Sequence, residues 1–208
     1  THSIKFGIAY TAKMVLWHSI LSTSTCICVI ATTEIGFSKL YTLDSKPEIT
    51  HQDHLGTSPY VSDAASYQNV LDALGNSGHA QFIQLVTMQN HTPYDDYYPD
   101  NQFREADVSE LSDDEKWDID SYAKGVDITD QATEDFLNQL NSTDKPITVI
   151  FYGDHLPGVY NTAAADENNA IPLHETDYFI WSNQASVSAG TKLDSQTSSY
   201  TSSNISWP

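Results

Sequence analysis

Apolar runs and helical spacings alternate along the chain. YTAKMVLWH (10–18), QFIQLVTMQ (81–89), TVIFYG (148–153) and DYFIWSN (177–183) are rich in β-branched and aromatic residues and predict strands. SDAASYQNVLDALG (62–75) predicts a helix, with Ser62 or Asp63 as its cap and Gly75 as its end. From SELSDDEKW (109–117) to about Leu140 the spacing is again helical, with Ile128, Ala132, Phe136 and Leu140 four residues apart along one face. The carboxylates crowded at its start suit the positive end of a helix dipole. Continuous apolar strands separated by helices predict an α/β fold, a mostly parallel sheet flanked by helices on both faces.

In such sheets ligands gather beyond the carboxyl ends of the strands. Three strand ends here carry polar chemistry. The first predicted strand ends in WHS, placing His18 there; the second leads into MQNHTPY and His91; the third ends in GDHLPG and delivers Asp154 and His155. Polar groups beside a buried strand must be solvated, paired or bound to something, because burying them unpaired is costly. One reading is a wet edge of loop groups that cap helices and bond turns. The other is a ligand site, since Asp and neutral His suit a divalent transition metal. Such an ion would also offset the acidic surface near an anionic substrate.

That surface is strongly acidic. Asp and Glu number 28 against 9 Lys and Arg, a net charge of −19, which argues against nucleic acid or anionic lipid as a partner unless a cation intervenes. A chain of 208 residues can bury one good core, so it is one domain or part of a larger one. With 39% hydrophobic residues it is too apolar to be disordered. Cys26 and Cys28 lack the partners of a disulfide framework or a structural zinc site. The longest apolar runs, MVLW and CICVIA, are too short to cross a bilayer, and no signal peptide is visible. His51 and His54 flank Asp53 in a polar segment read as a solvated loop, and His174 precedes a strand and is read as a loop residue. The N-x-S/T triplets at Asn90, Asn141 and Asn204 are read as chance.

FIQLVTMQNHTPY, followed about 60 residues later by TVIFYGDHLPG, resembles the extracellular domain of lipoteichoic acid synthase and related phosphoglycerol transferases of the sulfatase and alkaline phosphatase superfamily. YTAKMVLWHS, GFSKLYTLD (36–44), VSDAASYQNVLDAL and YAKGVDITDQATEDFLNQL follow in the family's order, so the resemblance covers nearly the whole chain. It implies an alkaline phosphatase/sulfatase-like α/β domain over residues 1–208 with a catalytic divalent metal, typically manganese, and a threonine nucleophile that is phosphoglycerylated in a two-step transfer. By the same resemblance Asp154 and His155 bind the metal, His91 contacts the phosphoglycerol group, and His18 lies near that pocket. The implied substrate is a phosphoglycerol lipid or glycolipid at the extracellular face of the cell membrane. The parent protein is expected to be membrane-anchored through a segment absent here.

The departures are as specific. The family's other metal carboxylate and its nucleophilic threonine come on an earlier strand and helix start, and nothing upstream of His18 could hold them, so the domain reads as incomplete at the N-terminus. ATTEIGF (31–37) is similar to the threonine motif but lies directly before GFSKLY, too late in the order, so Thr33 is rejected as nucleophile. Where the family carries Trp-Asn-Arg, this chain has Cys26, Ile27 and Cys28, and a thiol does not replace a guanidinium's bidentate hold on phosphate. The expectation is part of a metal-dependent phosphoglycerol transferase, or of a related phosphate or sulfate ester hydrolase, poorly active alone. The alternatives are a non-catalytic remnant of that domain or an acidic cell-surface binding module.

Overall fold

The computed structural model describes residues 12–15, 17–21, 39, 41–43, 49–75, 78, 80–105 and 110–189. Cys26, Cys28, Thr33, Asn204 and most of the GFSKLYTLD segment lie outside them. Among the described residues five strands form one sheet in the order β2-β3-β1-β4-β5: β1 (Ala12–Val15), β2 (Trp17–Leu21), β3 (Phe82–Val86), β4 (Thr148–Gly153) and β5 (Tyr178–Ser182). Two helices pack on it, α1 (Asp63–Gly75) and the 29-residue α2 (Asp113–Asn141). The short helices α3 (Asn161–Ala164) and α4 (Gln184–Ser188) follow β4 and β5. Among the described residues no helix is long and apolar enough to cross a membrane.

The α/β class holds, but the described sheet is mixed rather than mostly parallel. β2 pairs in parallel with β3, whereas β1 runs antiparallel to both β3 and β4, and β5 antiparallel to β4. β2, β3 and β4 therefore share one direction, with β1 and β5 reversed. The stretch expected as one strand over 10–18 is two segments on opposite sides of β3. Helices on both faces were expected as well, yet burial along β4 alternates. Its inward residues Val149 and Phe151 join the core, while Ile150 and its partner Ile180 on β5 are 39% and 49% exposed. Among the described elements, α1 and α2 serve one face of the sheet.

Helix starts follow local chemistry. Ser62 caps α1, its hydroxyl accepting the Ala65 N–H at 3.2 Å. Ser112 caps α2 and accepts the Glu115 N–H at 3.2 Å, with Asp113, Asp114 and Glu115 in the first turn as the dipole favours. The buried face of α2 is not the one that spacing by four picked out. Phe136 and Leu140 are buried, but Ile128 and Ala132 are only half-buried, and Gly125, Thr129 and Thr133 face inward instead. A straight spacing of four drifts off a helix of 3.6 residues per turn, so the true face includes steps of three, such as Thr133 to Phe136, among those of four.

The resulting core has two parts. Tyr67, Val70 and Leu74 from α1, Phe136 and Leu140 from α2, and Ile83, Leu85, Val149 and Phe151 from the sheet form an apolar cluster. Tyr67 stacks on Phe136 with ring centroids 4.6 Å apart. Beside the cluster lies a polar layer between the helices. The Tyr67 hydroxyl meets Thr133 Oγ1 at 2.9 Å, and Thr129 Oγ1 donates to Asp63 Oδ2 at 2.6 Å. Asp63 is fully buried; desolvation raises its carboxyl pKa to about 6, although hydrogen bonds from Thr129 and Thr87 pull the other way. At the far end Asn183 is also fully buried. Its oxygen accepts the Ile147 and Ser186 N–H groups at 2.9 and 3.0 Å, and its nitrogen donates to the carbonyls of Leu140 and Lys145 at 3.1 and 2.8 Å. One carboxamide thus ties the end of α2 to β4 and α4.

Two outcomes follow from these buried groups. Asn183→Leu leaves backbone donors and acceptors without partners and is expected to lower unfolding stability by about 3 kcal/mol in urea titrations. Asp63 has a folded pKa above its ordinary value of 3.8, so its neutral form favours the fold below that value, and stability is lost as pH rises toward 6. The gap corresponds to about 3 kcal/mol. Asp63→Asn should therefore gain stability relative to wild type between pH 4 and about 7, measured by urea unfolding across that range; a constant difference would contradict it.

Candidate functional site

Beyond β3 and β4 the chain forms two loops that meet. β3 ends at Val86, earlier than its sequence predicts, because Thr87, Gln89 and Asn90 turn their side chains into the protein interior. The His91 N–H closes a turn onto the Met88 carbonyl at 3.0 Å. β4 ends at Gly153 as expected, and Asp154 follows at once.

His91 and His155 line one open cleft of about 300 Å³, together with Asn90, Thr92, Tyr94, Tyr122, Pro157 and Gly158. A crevice of about 210 Å³ shares Asn90, His91, Tyr94 and Tyr122 and runs on toward Asp95, Tyr97 and Ser121. Sequence reasoning thus placed His91 and His155 together correctly. Asp154 adjoins them: its Oδ2 stands 3.8 Å from His155 Nε2, and its Oδ1 accepts the His155 N–H at 3.1 Å.

Both imidazoles are oriented by backbone. His155 Nδ1 lies 2.9 Å from the Leu156 carbonyl, and His91 Nδ1 lies 2.7 Å from the Thr92 carbonyl. A carbonyl only accepts, so each Nδ1 carries a proton, and in the neutral ring each Nε2 keeps a bare lone pair. Tyr60 fits this assignment. Its hydroxyl donates to the Thr92 carbonyl, which leaves its oxygen to accept from His91 Nδ1 at 3.3 Å. Tying one ring nitrogen to a carbonyl is how ligating histidines are commonly held.

His18 lies within β2 and does not end a strand. It follows Trp17, which pairs with Phe82 at the start of β3. The apolar run continues through Ile20 and Leu21, and the strand runs on past His18 instead of ending there. His51 pairs with Asp72 at 2.9 Å and His54 bonds the Ser58 carbonyl, so these two do not converge around Asp53. His174 sits in an exposed 3-10 turn against the Ala170 carbonyl, as a loop residue should.

Helix α2 holds both loops. On the β3 side, Gln89 Nε2 donates to Gly125 O and Thr129 Oγ1 at 3.3 and 3.0 Å, and Asn90 Nδ2 donates to Thr129 Oγ1 at 2.8 Å. Farther along, Arg104 lies over the Trp117 ring at 3.4 Å and donates to Ser121 and Asp96. On the β4 side, buried Glu115 accepts the Thr162 N–H at 3.0 Å and its hydroxyl at 2.6 Å. Tyr94 and Tyr98 donate to the carbonyls of Asn90 and Gln89, and burial holds both phenols above their ordinary pKa, so they stay protonated donors. Sequence reading missed Asn90, Tyr94 and Tyr122. The available signal was the polar MQN and aromatic TPY on either side of His91.

The donor set suits a divalent ion in part. One carboxylate oxygen and one bare imidazole nitrogen 3.8 Å apart could share an ion at ordinary bond lengths of about 2.1 Å. Among the described residues no group of three or more His, Cys, Asp or Glu side chains is arranged to hold a metal. What the described residues offer is half of a site.

Comparison with known proteins points the same way. The family model described as Sulfatase matches residues 18–205. The capsular polysaccharide biosynthesis protein RkpI of Rhizobium meliloti (strain 1021) is 29% identical over 148 residues, 70% of this chain and 23% of that protein. The structure of the Streptococcus pyogenes phosphoglycerol transferase GacH in complex with sn-glycerol-1-phosphate matches with a TM-score of 0.67 at 35% identity, over 81% of this chain and 44% of that one. The chain spans less than half the length of either relative. Because the family match takes in both loops of the cleft and all but the two ends of the sequence, the chain belongs to the sulfatase family.

Proposed function

We propose that this chain is part of a metal-dependent phosphoglycerol transferase that builds a cell-envelope polymer at the extracellular face of the membrane. The observation that carries the reading is the meeting of His91 and His155 in one cleft beyond β3 and β4. Support comes from the likeness to a phosphoglycerol transferase and to a capsular polysaccharide biosynthesis protein. The substrate class is a phosphoglycerol lipid or glycolipid.

Asp154 and His155 would hold the divalent ion, manganese by resemblance, through Oδ2 and Nε2. A bound ion there would offset phosphate charge and lower the barrier to attack at phosphorus. His91 serves the glycerol phosphate. Its Nδ1 proton is committed to Thr92 and Tyr60, so Nε2 faces the ligand as an acceptor for a glycerol hydroxyl. Tyr94 and Tyr122, edge to face with centroids 5.6 Å apart, wall the cleft and limit water on that side. Arg104, the only arginine of the sequence, is held by Asp96, Ser121 and Trp117 outside the cleft lining, so it does not replace the family's phosphate-gripping guanidinium. With Thr33 rejected, no residue of the chain is assigned as nucleophile, so the transfer needs a threonine and a further metal carboxylate from outside these residues.

Calorimetric titration should show manganese binding weakly to the chain. Asp154→Ala and His155→Ala should each weaken it further, and acid should weaken it because a protonated imidazole cannot ligate. Binding that is unchanged in both variants rules out this site. Turnover of a phosphoglycerol lipid or a chromogenic phosphodiester by the 208 residues alone should be negligible. Robust metal-dependent turnover would overturn the view that the chain lacks its nucleophile, and Thr33→Ala would be the first variant to assay.

A further inference from the structure

One hydroxyl behind the cleft has every bonding position filled. Thr129 Oγ1 donates its proton to Asp63 Oδ2 at 2.6 Å and accepts from Gln89 Nε2 at 3.0 Å and Asn90 Nδ2 at 2.8 Å. A hydroxyl has one proton and two lone pairs, so nothing is left over. All four side chains are buried. Asp63, Thr129 and Gly125 do not line the cleft, whereas Asn90 and the adjacent His91 do.

The polarity of this junction runs in one direction. An ionised Asp63 can only accept, so it draws the Thr129 proton to itself. The Thr129 oxygen then turns only lone pairs toward β3, and both carboxamides must present their NH2 groups to it. Gln89 is fixed a second time, because its Oε1 accepts the Asp63 N–H at 2.8 Å. Asn90 must then direct its Oδ1 the other way, against Gly125, where a β-carbon would collide with it. A helix interior ordinarily favours alanine over glycine, so this glycine is explained by the close approach of Asn90.

We propose that Asp63, Thr129 and Gly125 are positioning residues that fix the direction of the Asn90 carboxamide and, through it, the placement of His91 in the cleft. Their importance for ligand binding rests on His91 serving glycerol phosphate, as argued above; the placement itself does not. Thr129→Val keeps the shape and removes the shared acceptor. Thr129→Ser restores the acceptor. Gly125→Ala leaves the hydroxyl in place and pushes Asn90 aside.

The test pairs a spectroscopic readout with a binding one. In nitrogen-edited NMR of the full chain, Thr129→Val and Gly125→Ala should move the Asn90 side-chain amide and the His91 ring signals, and Thr129→Ser should return both toward wild type. In titrations with sn-glycerol-1-phosphate in saturating manganese, the first two variants should bind about tenfold more weakly, as for the loss of one buried hydrogen bond, and the serine variant should recover. Unmoved Asn90 and His91 signals in both Thr129→Val and Gly125→Ala overturn the proposal, and so does wild-type affinity with the signals moved. Wild-type binding equal to that of His91→Ala, or no binding at all, overturns the role given to His91, while the NMR signals still decide the positioning. Should Thr129→Val fail to fold, Gly125→Ala and Thr129→Ser carry the decision.

Discussion

A carboxylate, a hydroxyl and two carboxamides meet where α1, α2 and the end of β3 come together, and all are buried. Inside a protein such groups are expensive unless each finds its partner, and a network that does find them admits few other arrangements. Here the bonds of Thr129 Oγ1 to Asp63, Gln89 and Asn90 tie the end of β3 to α1 and α2 and set which way the loop leaves the sheet. Asn90 Oδ1, against Gly125, nevertheless has no hydrogen-bond partner among the described residues. The apolar cluster beside it supplies the bulk of the burial, but apolar contacts alone are non-directional. The polar layer is what makes the loop's course specific.

Helix α2 extends this logic along its length. With 29 residues it reaches about 44 Å, enough to serve the β3 loop through Thr129, Gly125 and Ser121 and the β4 loop through Glu115 at its first turn. One rigid element therefore sets the distance between two loops that are about 60 residues apart in sequence. Its C-terminal end is fastened separately, by Asn183, to β4. The same helix that packs the core thereby gauges the cleft.

Much of this was legible in the sequence, and the boundary of what was not is physical. The helices at 62–75 and 113–141 announce themselves through caps and periodicity, and GDH directly after an apolar strand points to a site without any coordinates. Hydrophobic periodicity cannot register residues that face inward while polar. Asp63, Gln89, Thr129 and Thr133 were therefore invisible to it, and Ile128 and Ala132 were assigned to a face they only border. Strand direction was also out of reach. Continuous apolar runs suggest strands buried on both faces, yet β4 and β5 leave Ile150 and Ile180 on an open side. His18 was read as a strand end, but the apolar run and β2 both continue beyond it.

The backbone bonds at the two cleft histidines have a thermodynamic consequence. Each ring donates Nδ1–H to the carbonyl of the residue that follows it, a connection made within one peptide unit and independent of any ligand. Even His155, 64% exposed at its side chain, has thereby surrendered rotational freedom during folding. Immobilising a side chain only when a ligand arrives costs roughly 0.5–1.5 kcal/mol. For these two rings that entropy is already lost before an ion or a phosphate reaches them, so association starts from an ordered pair of nitrogens.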